Sequence, residues 1–449
     1  MSYKVLLFGF CPKNYAATCR DHFFAFKRYS KFQVHEVSNL GGFPPWIRLE
    51  DFDVLVIHYT IYTIMEHYLM PETVEKIRNF KGIRVLYIQD EYRRINQIKD
   101  KMRELKIDLL FTCVPEEEIE KVYFDVPAKK INVLTGYVPE KLAKTRSPQV
   151  HGRSIGVGYR ARKLSAWYGA LPQEKWQIVD SFKANFPAHA KAKYSLDLSY
   201  HEEERLYGAK WDRFLKDCRT VLGVESGASV FDFTGEIELE IEAYERSHPN
   251  ATFEEIRDKF LTDIDGKIRL NQISPRCFEA ACLRTPMILF EGDYSGVLKP
   301  WRHYIPLKKD FSNIDEVCAK IDDTEFLQKM ADITYDEVAL NPEFSFRAMI
   351  EKFDREVEAF AREKSLAPVT SVLTHKMRVR SALHNEWHAG GFKITKRLVK
   401  LPRQTYRRLM WLIRVTVWQI PGVSWLYHLT LDPFVHAYKV RRSSRRQQS

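Results

Sequence analysis

Glycines and cations cluster between residues 156 and 163, where the chain reads G-V-G-Y-R-A-R-K. In a turn between a strand and a helix, glycines let a pyrophosphate approach the backbone amides, and nearby cations neutralise its charge. We therefore predict that Gly158, Arg160, Arg162 and Lys163 bind a diphosphate. The alternative is a tight turn with a solvated basic rim.

A second group of residues could hold the nucleoside half of such a ligand. Glu279 falls in the first turns of a predicted helix that begins near Pro275, and Arg276 lies in the same turns. A carboxylate in this position can accept hydrogen bonds from two ribose hydroxyls. An acid that only stabilises the helix dipole is the alternative.

Three titratable residues follow predicted buried strands and could act on a substrate. His58 ends the run F-D-V-L-V-I-H, and Asp90 and Glu91 follow I-R-V-L-Y-I. The carboxyl ends of parallel strands form the edge where such sheets bind ligands. Asp90 or Glu91 is placed to act as a base, and His58 to orient a donor or acceptor. The alternatives are a helix cap with a first-turn acid, and a core histidine.

No metal and no cofactor are expected. The D-x-D at 263–265 trails an acidic helix, and His201 has no second histidine four residues later. The seven cysteines contain no C-x-x-C pair, which favours free thiols in a reducing compartment. Asp180 has the spacing of the acid in an NAD site but lies in a predicted helix, so an NAD-dependent enzyme is the weaker alternative.

Short apolar runs alternate with helical stretches, which is typical of α/β domains with parallel, doubly wound sheets. We predict two Rossmann-like domains facing a cleft, residues 1–145 and 153–365, with a polar linker between them. The predicted strands of the first domain are Lys4–Phe10, Phe32–Val37, Phe52–His58, Ile83–Ile88, Leu109–Cys113 and Ile131–Leu134. Those of the second are Ser154–Tyr159, Ala192–Leu198, Thr220–Val224, Met287–Phe290 and Tyr304–Pro306.

The positive charge is concentrated at the end of the chain. The 449 residues carry a net charge of +11, but residues 371–449 alone hold 16 Lys and Arg against two acids. The same stretch has apolar runs with Trp411, Trp418 and Trp425. We predict a basic amphipathic helical tail whose residues 377–446 bind an anionic membrane surface. Packing on the N-terminal domain or on a partner protein is the alternative.

The composition narrows the class of protein further. Hydrophobic residues make up 45% of the chain and no apolar run is long enough for a membrane span. The N-terminus has no signal-peptide pattern. We expect a cytoplasmic protein that associates peripherally with the inner face of the membrane. No nucleic-acid-binding motif is present, so no nucleic-acid partner is expected.

The run Arg276–Phe290, R-C-F-E-A-A-C-L-R-T-P-M-I-L-F, resembles the C-terminal-domain signature of GT-B nucleotide-sugar glycosyltransferases. That signature is roughly F/L-E-A-x-A-C-G-T-P followed by a hydrophobic strand. His303–Asp315 and Phe344–Phe346 resemble later segments of the same family. The spore-maturation-type branch is the most similar. The resemblance covers residues 1–365 approximately, with strong motifs from Ser154 onward.

The resemblance implies roles for particular residues. Glu279 matches the glutamate that binds the ribose, and the three cations of residues 156–163 match those that hold the diphosphate. Ser226 and Gly227 lie where the family contacts the donor. Asn271 stands where the retaining branch has a second glutamate, so retaining and inverting transfer both stay open.

These features predict a glycosyltransferase that moves a sugar from a nucleotide-sugar to a cell-surface polysaccharide, lipopolysaccharide or lipid-linked acceptor. The alternative is a membrane-associated nucleotide-binding scaffold without transferase activity.

Overall fold

The computed structural model describes residues 2–12, 15–371, 373–375 and 377–385. Within these ranges the chain forms two larger parallel β-sheets, flanked by helices, and a small antiparallel ribbon. The fold class is α/β, as the alternation of apolar runs and helical stretches predicted.

The first sheet has six strands in the order β2-β1-β3-β4-β5-β6. The inner strands are rich in Val, Ile, Leu and Phe, which suits a parallel sheet covered on both faces, whereas the two edge strands carry more polar residues. All six predicted strands are present, with ends shifted by up to two residues. They are β1 (Lys4–Gly9), β2 (Gln33–Ser38), β3 (Val54–Ile57), β4 (Ile83–Tyr87), β5 (Leu109–Thr112) and β6 (Lys129–Asn132).

Five helices accompany this sheet. The longer ones bury apolar side chains along one face. Their bounds are α1 (Ala17–Tyr29), α2 (Pro71–Asn79), α3 (Ile95–Leu105), α4 (Ile119–Tyr123) and α5 (Glu140–Ala143).

The second sheet is five-stranded, in the order β13-β12-β9-β7-β8, and its neighbouring strands pair in parallel. Two three-residue strands, β10 and β11, pair antiparallel beside it and were not predicted. The bounds are β7 (Ile155–Arg160), β8 (Leu196–Ser199), β9 (Cys218–Gly223), β10 (Ser226–Ala228), β11 (Leu270–Gln272), β12 (Met287–Phe290) and β13 (Ile305–Leu307).

The next helices lie between residues 170 and 363. They are α6 (Ala170–Asn185), α7 (Ala188–Lys191), α8 (Ala209–Asp217), α9 (Glu236–Ser247), α10 (Phe253–Ile256), α11 (Pro275–Cys282), α12 (Ile314–Asp322), α13 (Thr324–Thr334) and α14 (Phe346–Glu363). The acidic stretch from residue 236 to residue 260 is not one continuous helix. Pro249 disfavours helical backbone at His248, whose φ is −130°, so α9 ends there and α10 starts anew.

The chain divides into two compact units that differ from the predicted domains in their bounds. Of the described residues, the first unit contains 2–12, 15, 32–84, 367–371, 373–375 and 377–385. The second contains residues 16–31 and 85–366. The predicted domain boundaries stay a prediction.

In the first unit, the described part of the tail packs on β2, a strand at the edge of its sheet. Asn385 accepts a hydrogen bond from the Ser38 amide at 2.9 Å and donates one to the Glu36 carbonyl at 3.1 Å. The Ser381 hydroxyl lies 2.9 Å from the His35 ring. These contacts cover backbone groups that an open sheet edge would expose.

Part of the predicted membrane-binding tail therefore packs on the chain itself. The rest of residues 377–446, from 386 onward, lies outside the described residues. Among the helices that the structure describes, none combines the length and the apolar character needed to cross a bilayer.

Candidate functional site

A cavity of about 330 Å³ lies at the carboxyl ends of β7 and β9 and beside the start of α11. We call it the cationic cavity, because four basic side chains line it and no described carboxylate does. The polar and charged residues of its lining are Arg162, Lys175, Arg205, Ser226, Ser274 and Arg276. Apolar side chains, with Tyr159 and Trp211, form the remaining wall.

Different elements bring the cations together. Arg162 follows the end of β7, and Lys175 comes from the second turn of α6. Arg276 lies in the first turn of α11, where Ser274 caps the helix and Pro275 occupies its first position. The Arg276 guanidinium donates to the Arg160 carbonyl. The cavity thus combines three segments that are far apart in the sequence.

Lys175 carries the clearest electrostatic signature in the cavity. Burial, together with the nearby Arg276 and Arg162, lowers the pKa of its ammonium group to about 8. The Asp90 carboxylate acts in the opposite direction. A buried cation facing like charges is stabilised by an anion, so the site favours an anionic ligand. Sequence analysis missed Lys175, since no motif distinguishes one lysine within a helix.

Two of the predicted diphosphate-binding cations do not line the cavity. Arg160 donates to the Asp197 carboxylate at 2.7 Å and to the Asp197 and Glu204 carbonyls, so its guanidinium is engaged on β8 and the following loop. The Lys163 ammonium lies 4.7 Å from the centre of the Trp176 ring. Of that predicted group, Arg162 and Gly158 reach the cavity.

The predicted glycine turn between strand and helix is wrong, because Gly156 and Gly158 lie inside β7. A Cβ at Gly158 would come within 2.2 Å of the Cys218 sulfur, and one at Gly156 within 2.6 Å of the Tyr194 Cβ. These glycines allow close packing of β7 on its neighbours. The glycine with a positive φ before the helix is Gly169, at +87°.

Glu279 lies beside the cationic cavity rather than in its lining. Its carboxylate accepts a hydrogen bond of 2.7 Å from the Trp211 indole, and Trp211 itself lines the cavity. Burial raises the pKa of Glu279, while the bond from Trp211 and the charge of Arg276 act against that shift. Glu279 therefore fixes Trp211 in the wall, and its predicted contact with a ribose stays a prediction.

The β10–β11 ribbon carries three predicted donor-binding residues. Ser226 lines the cationic cavity. Gly227 has a φ of +114°, and a Cβ there would overlap the Leu270 carbonyl oxygen. The Asn271 side chain donates to the Glu225 carboxylate at 2.6 Å. Gly227 thus serves the backbone of the ribbon, and Glu225 is a buried partner of Asn271 that sequence analysis missed.

Glu91 is secluded from solvent, with 1% of its surface exposed. Its carboxylate accepts hydrogen bonds from the Thr112 hydroxyl, from the Tyr123 hydroxyl at 2.5 Å and from the Cys113 amide at 2.6 Å. Burial raises its pKa to about 7, against the effect of these bonds. This arrangement ties β4 to β5 and α4.

Asp90 differs from its neighbour in every respect that matters for catalysis. It is exposed and has a φ of +57°, a backbone conformation that costs energy in a residue other than glycine. Its charge acts on Lys175 of the cationic cavity and on Tyr168. Asp90 therefore lies within electrostatic reach of the cations, at the carboxyl end of β4.

His58 belongs to the first unit and is fully buried. Its Nδ1 lies 3.0 Å from the Thr60 hydroxyl and accepts a hydrogen bond from the Thr60 amide. This is the placement of a core histidine. The role of His58 toward a substrate stays a prediction.

In the part of the chain that the structure describes, no group of three or more His, Cys, Asp or Glu side chains could hold a metal ion. The absence of a metal requirement stays a prediction.

No family model and no curated protein matches the chain. Solved structures do. A structure of TarM is 10% identical, with a TM-score of 0.39, over 69% of this chain and 56% of the other, so the match spans about half of TarM. Anabaena HepE in complex with UDP and glucose is 10% identical, with a TM-score of 0.44, over 80% and 99% of the two chains.

An α-glucosyltransferase in complex with UDP and a 13-mer DNA is also 10% identical, with a TM-score of 0.44, over 80% of this chain and all of the other. The matched structures are glycosyltransferases with the GT-B fold, the family that the sequence resembles.

Proposed function

We propose that the chain is a glycosyltransferase of the GT-B class, which moves a sugar from a nucleoside-diphosphate sugar to a glycan or lipid-linked acceptor. The main support is the cationic cavity, where four basic side chains converge without a described carboxylate at the ends of parallel strands. Parallel sheets bind their ligands at this edge, and the negative charge of a diphosphate would neutralise the four cations.

In this proposal the cations have two tasks. Arg162, Lys175 and Arg276 bind the diphosphate of the donor. When the sugar leaves, negative charge develops on the same phosphate oxygens, and fixed cations stabilise that charge in the transition state. Neutralisation by side chains also makes a metal unnecessary.

Asp90 is the proposed base. Transfer with inversion needs a group that removes the proton of the acceptor hydroxyl. Asp90 is exposed and near the cations, whereas Glu91 is enclosed by its three hydrogen-bond donors. We therefore assign Glu91 a structural role and not a catalytic one.

We further propose that the tail beyond residue 385, with its many Lys and Arg residues, attaches the enzyme to an anionic membrane surface on the cytoplasmic side. This would bring the site to a lipid-linked or envelope-bound acceptor.

Calorimetric titration of the full chain with UDP, GDP and dTDP tests the donor site. One of these nucleotides is expected to bind, and Arg162→Ala and Arg276→Ala are each expected to weaken it by about tenfold or more, because a charge-assisted contact is lost. Arg146→Ala, at an exposed arginine outside the cavity lining, is the matched control. Absence of binding, or equal loss in all three variants, would overturn the proposal.

A further inference from the structure

A second, larger cavity of about 1270 Å³ lies in the same unit of the chain. We call it the acidic cavity. It is formed by the segments after β5 and β6, the start of α6, the β10–β11 ribbon and residues 257–269. Its charged residues are Glu116, Glu117, Glu174, Glu225, Asp258, Asp265, Asp293, Arg257, Arg269 and Lys309.

The two cavities share a thin wall. Glu174 lines the acidic cavity, and the next residue, Lys175, lines the cationic one. The chain after β9 alternates in the same way, since Val224 and Ser226 line the cationic cavity and Glu225 lines the acidic one. Consecutive residues thus face two compartments of opposite charge. The two cavities therefore adjoin along these two segments.

The lining of the acidic cavity excludes some ligands. Seven carboxylates face three cations. Two of those cations are already paired, Lys309 with Glu174 at 2.5 Å and Arg257 with Asp258 at 2.8 Å. Phosphate, sulfate and carboxylate groups are repelled by such a surface, because like charges at close range cost energy.

The same lining suits hydroxyl groups. Carboxylates accept hydrogen bonds from alcohols, and the cavity adds the side-chain amides of Asn132, Asn271 and Gln272 and the hydroxyls of Ser229, Ser295 and Thr262. Asn271 is oriented by Glu225, which also accepts the Tyr294 amide at 2.9 Å. The volume exceeds that of a typical small-molecule pocket, so several linked rings can enter.

We propose that the acidic cavity binds the acceptor, and that this acceptor is an uncharged, hydroxyl-rich oligosaccharide. The inference rests on the proposed glycosyltransferase function and narrows it. The donor diphosphate occupies the cationic cavity, and the acceptor hydroxyl meets the sugar of the donor where the two cavities adjoin. An acceptor with a phosphate or sulfate on each repeat is excluded by charge.

The test is a binding measurement on the full chain without nucleotide. Neutral oligosaccharides of glucose, galactose, mannose and N-acetylglucosamine are each compared with their sulfated forms by saturation-transfer NMR and calorimetry. At least one neutral oligosaccharide is expected to bind, with its sulfated form at least about tenfold weaker at low ionic strength, and the difference is expected to shrink as salt screens the repulsion.

Two variants test whether the acidic cavity is the part of the protein that distinguishes neutral from sulfated oligosaccharides. Glu116→Lys with Glu117→Lys changes two exposed positions of the lining, so folding is expected to be kept. This double variant should bind the sulfated form more tightly, which reduces the ratio of the affinities for the neutral and the sulfated oligosaccharide. Glu325→Lys, at an exposed position outside both linings, should leave the ratio unchanged.

Three results would overturn the inference. They are binding of no neutral oligosaccharide, preference for the sulfated forms, and binding of a tetralysine peptide in place of sugars, which would indicate a basic partner. Nucleotide titration of the same sample separates this failure from failure of the donor site. Nucleotide binding without oligosaccharide binding rejects the acceptor inference alone, and oligosaccharide binding without nucleotide binding rejects the proposed function.

Discussion

Lys175 illustrates how position, rather than residue type, creates a binding group. Its ammonium lies in the cavity wall with Arg162 and Arg276, and burial and the two guanidinium groups destabilise its charged form. The pKa of about 8 means that the charge is retained at neutral pH and lost in mildly alkaline solution. An anionic ligand stabilises the charged ammonium of Lys175 and therefore raises its pKa on binding.

This gives a pH-dependent prediction. Nucleoside-diphosphate affinity should fall as pH rises through about 8, because the free protein then loses the Lys175 proton. Lys175→Arg keeps its charge at these pH values and should flatten the fall, whereas Lys175→Met should bind weakly throughout. Titration calorimetry between about pH 7 and about pH 9 measures this. An identical pH profile in the wild type and Lys175→Arg would contradict it.

The raised pKa of Glu91 leads to a prediction about the pH dependence of stability. Burial raises the pKa of its carboxyl to about 7 in the folded state. The folded state therefore holds a proton that the unfolded state releases at lower pH, so stability is full in acid and is lost as pH rises through about 7. Glu91→Gln cannot ionise and should show a smaller loss of melting temperature between about pH 5 and about pH 8.

Thermal unfolding of both proteins across that range checks this. Glu325→Gln is the control, because Glu325 is exposed and lies in α13, so its loss should leave the pH dependence of unfolding close to that of the wild type. If the melting temperature of Glu91→Gln falls with pH as steeply as that of the wild type, another group causes the pH dependence.

Sequence analysis found those cavity residues that belong to recognisable local patterns. Arg162 and Gly158 follow the glycine pattern, and Arg276 belongs to the helix that resembles the family signature. Lys175 and Arg205 were missed, because only the tertiary fold brings them to the cavity. The sequence does not distinguish the roles of Arg160 and Arg162, because Asp197, the partner of Arg160, lies on another strand.

At the scale of elements, apolar runs predicted the parallel strands well, because buried strands need continuous hydrophobic sequence. The β10–β11 ribbon has three residues in each strand and no continuous apolar run, so it left no such signal. That ribbon nevertheless forms part of the wall between the two cavities. The least predictable element is therefore one that positions the site.

Gly227 should control the integrity of the ribbon. A Cβ there would lie 1.5 Å from the Leu270 carbonyl oxygen, and the φ of +114° is unfavourable for other residues. Gly227→Ala should lower the free energy of unfolding by about 1–3 kcal/mol and weaken nucleotide binding. Gly152→Ala, where nothing lies within 4 Å, is the control and should be nearly neutral. Denaturant unfolding measures both, and equal stability of the two variants would contradict the assignment.

At the scale of the whole molecule, the tail has more than one part. Residues 367–385 belong to the first unit, where Val369 donates to the Asp53 carboxylate at 2.5 Å and Asn385 pairs with the backbone of β2. The composition of residues 371–449 predicted a basic amphipathic tail that binds a membrane, with packing on the N-terminal domain or on a partner protein as the alternative. It could not show where packing on the protein ends, because both roles use the same residue types.

Truncation distinguishes the two parts. A chain that ends at residue 366 loses the contacts with Asp53 and with β2, so its melting temperature should lie several degrees below that of a chain ending at 385, and it should aggregate through the open strand edge. Differential scanning calorimetry and light scattering of both chains test this. Equal melting temperatures would show that residues 367–385 add no stability.

Donor turnover measures sugar transfer itself. The full chain is incubated with UDP-, GDP- and dTDP-sugars and the neutral oligosaccharides, and released nucleoside diphosphate and glycosylated product are measured by mass spectrometry. We predict equal amounts of both from one donor, and a loss of kcat of about 10²–10⁴-fold in Asp90→Asn. Binding of a nucleotide without turnover of any donor would contradict the account and favour a nucleotide-binding scaffold.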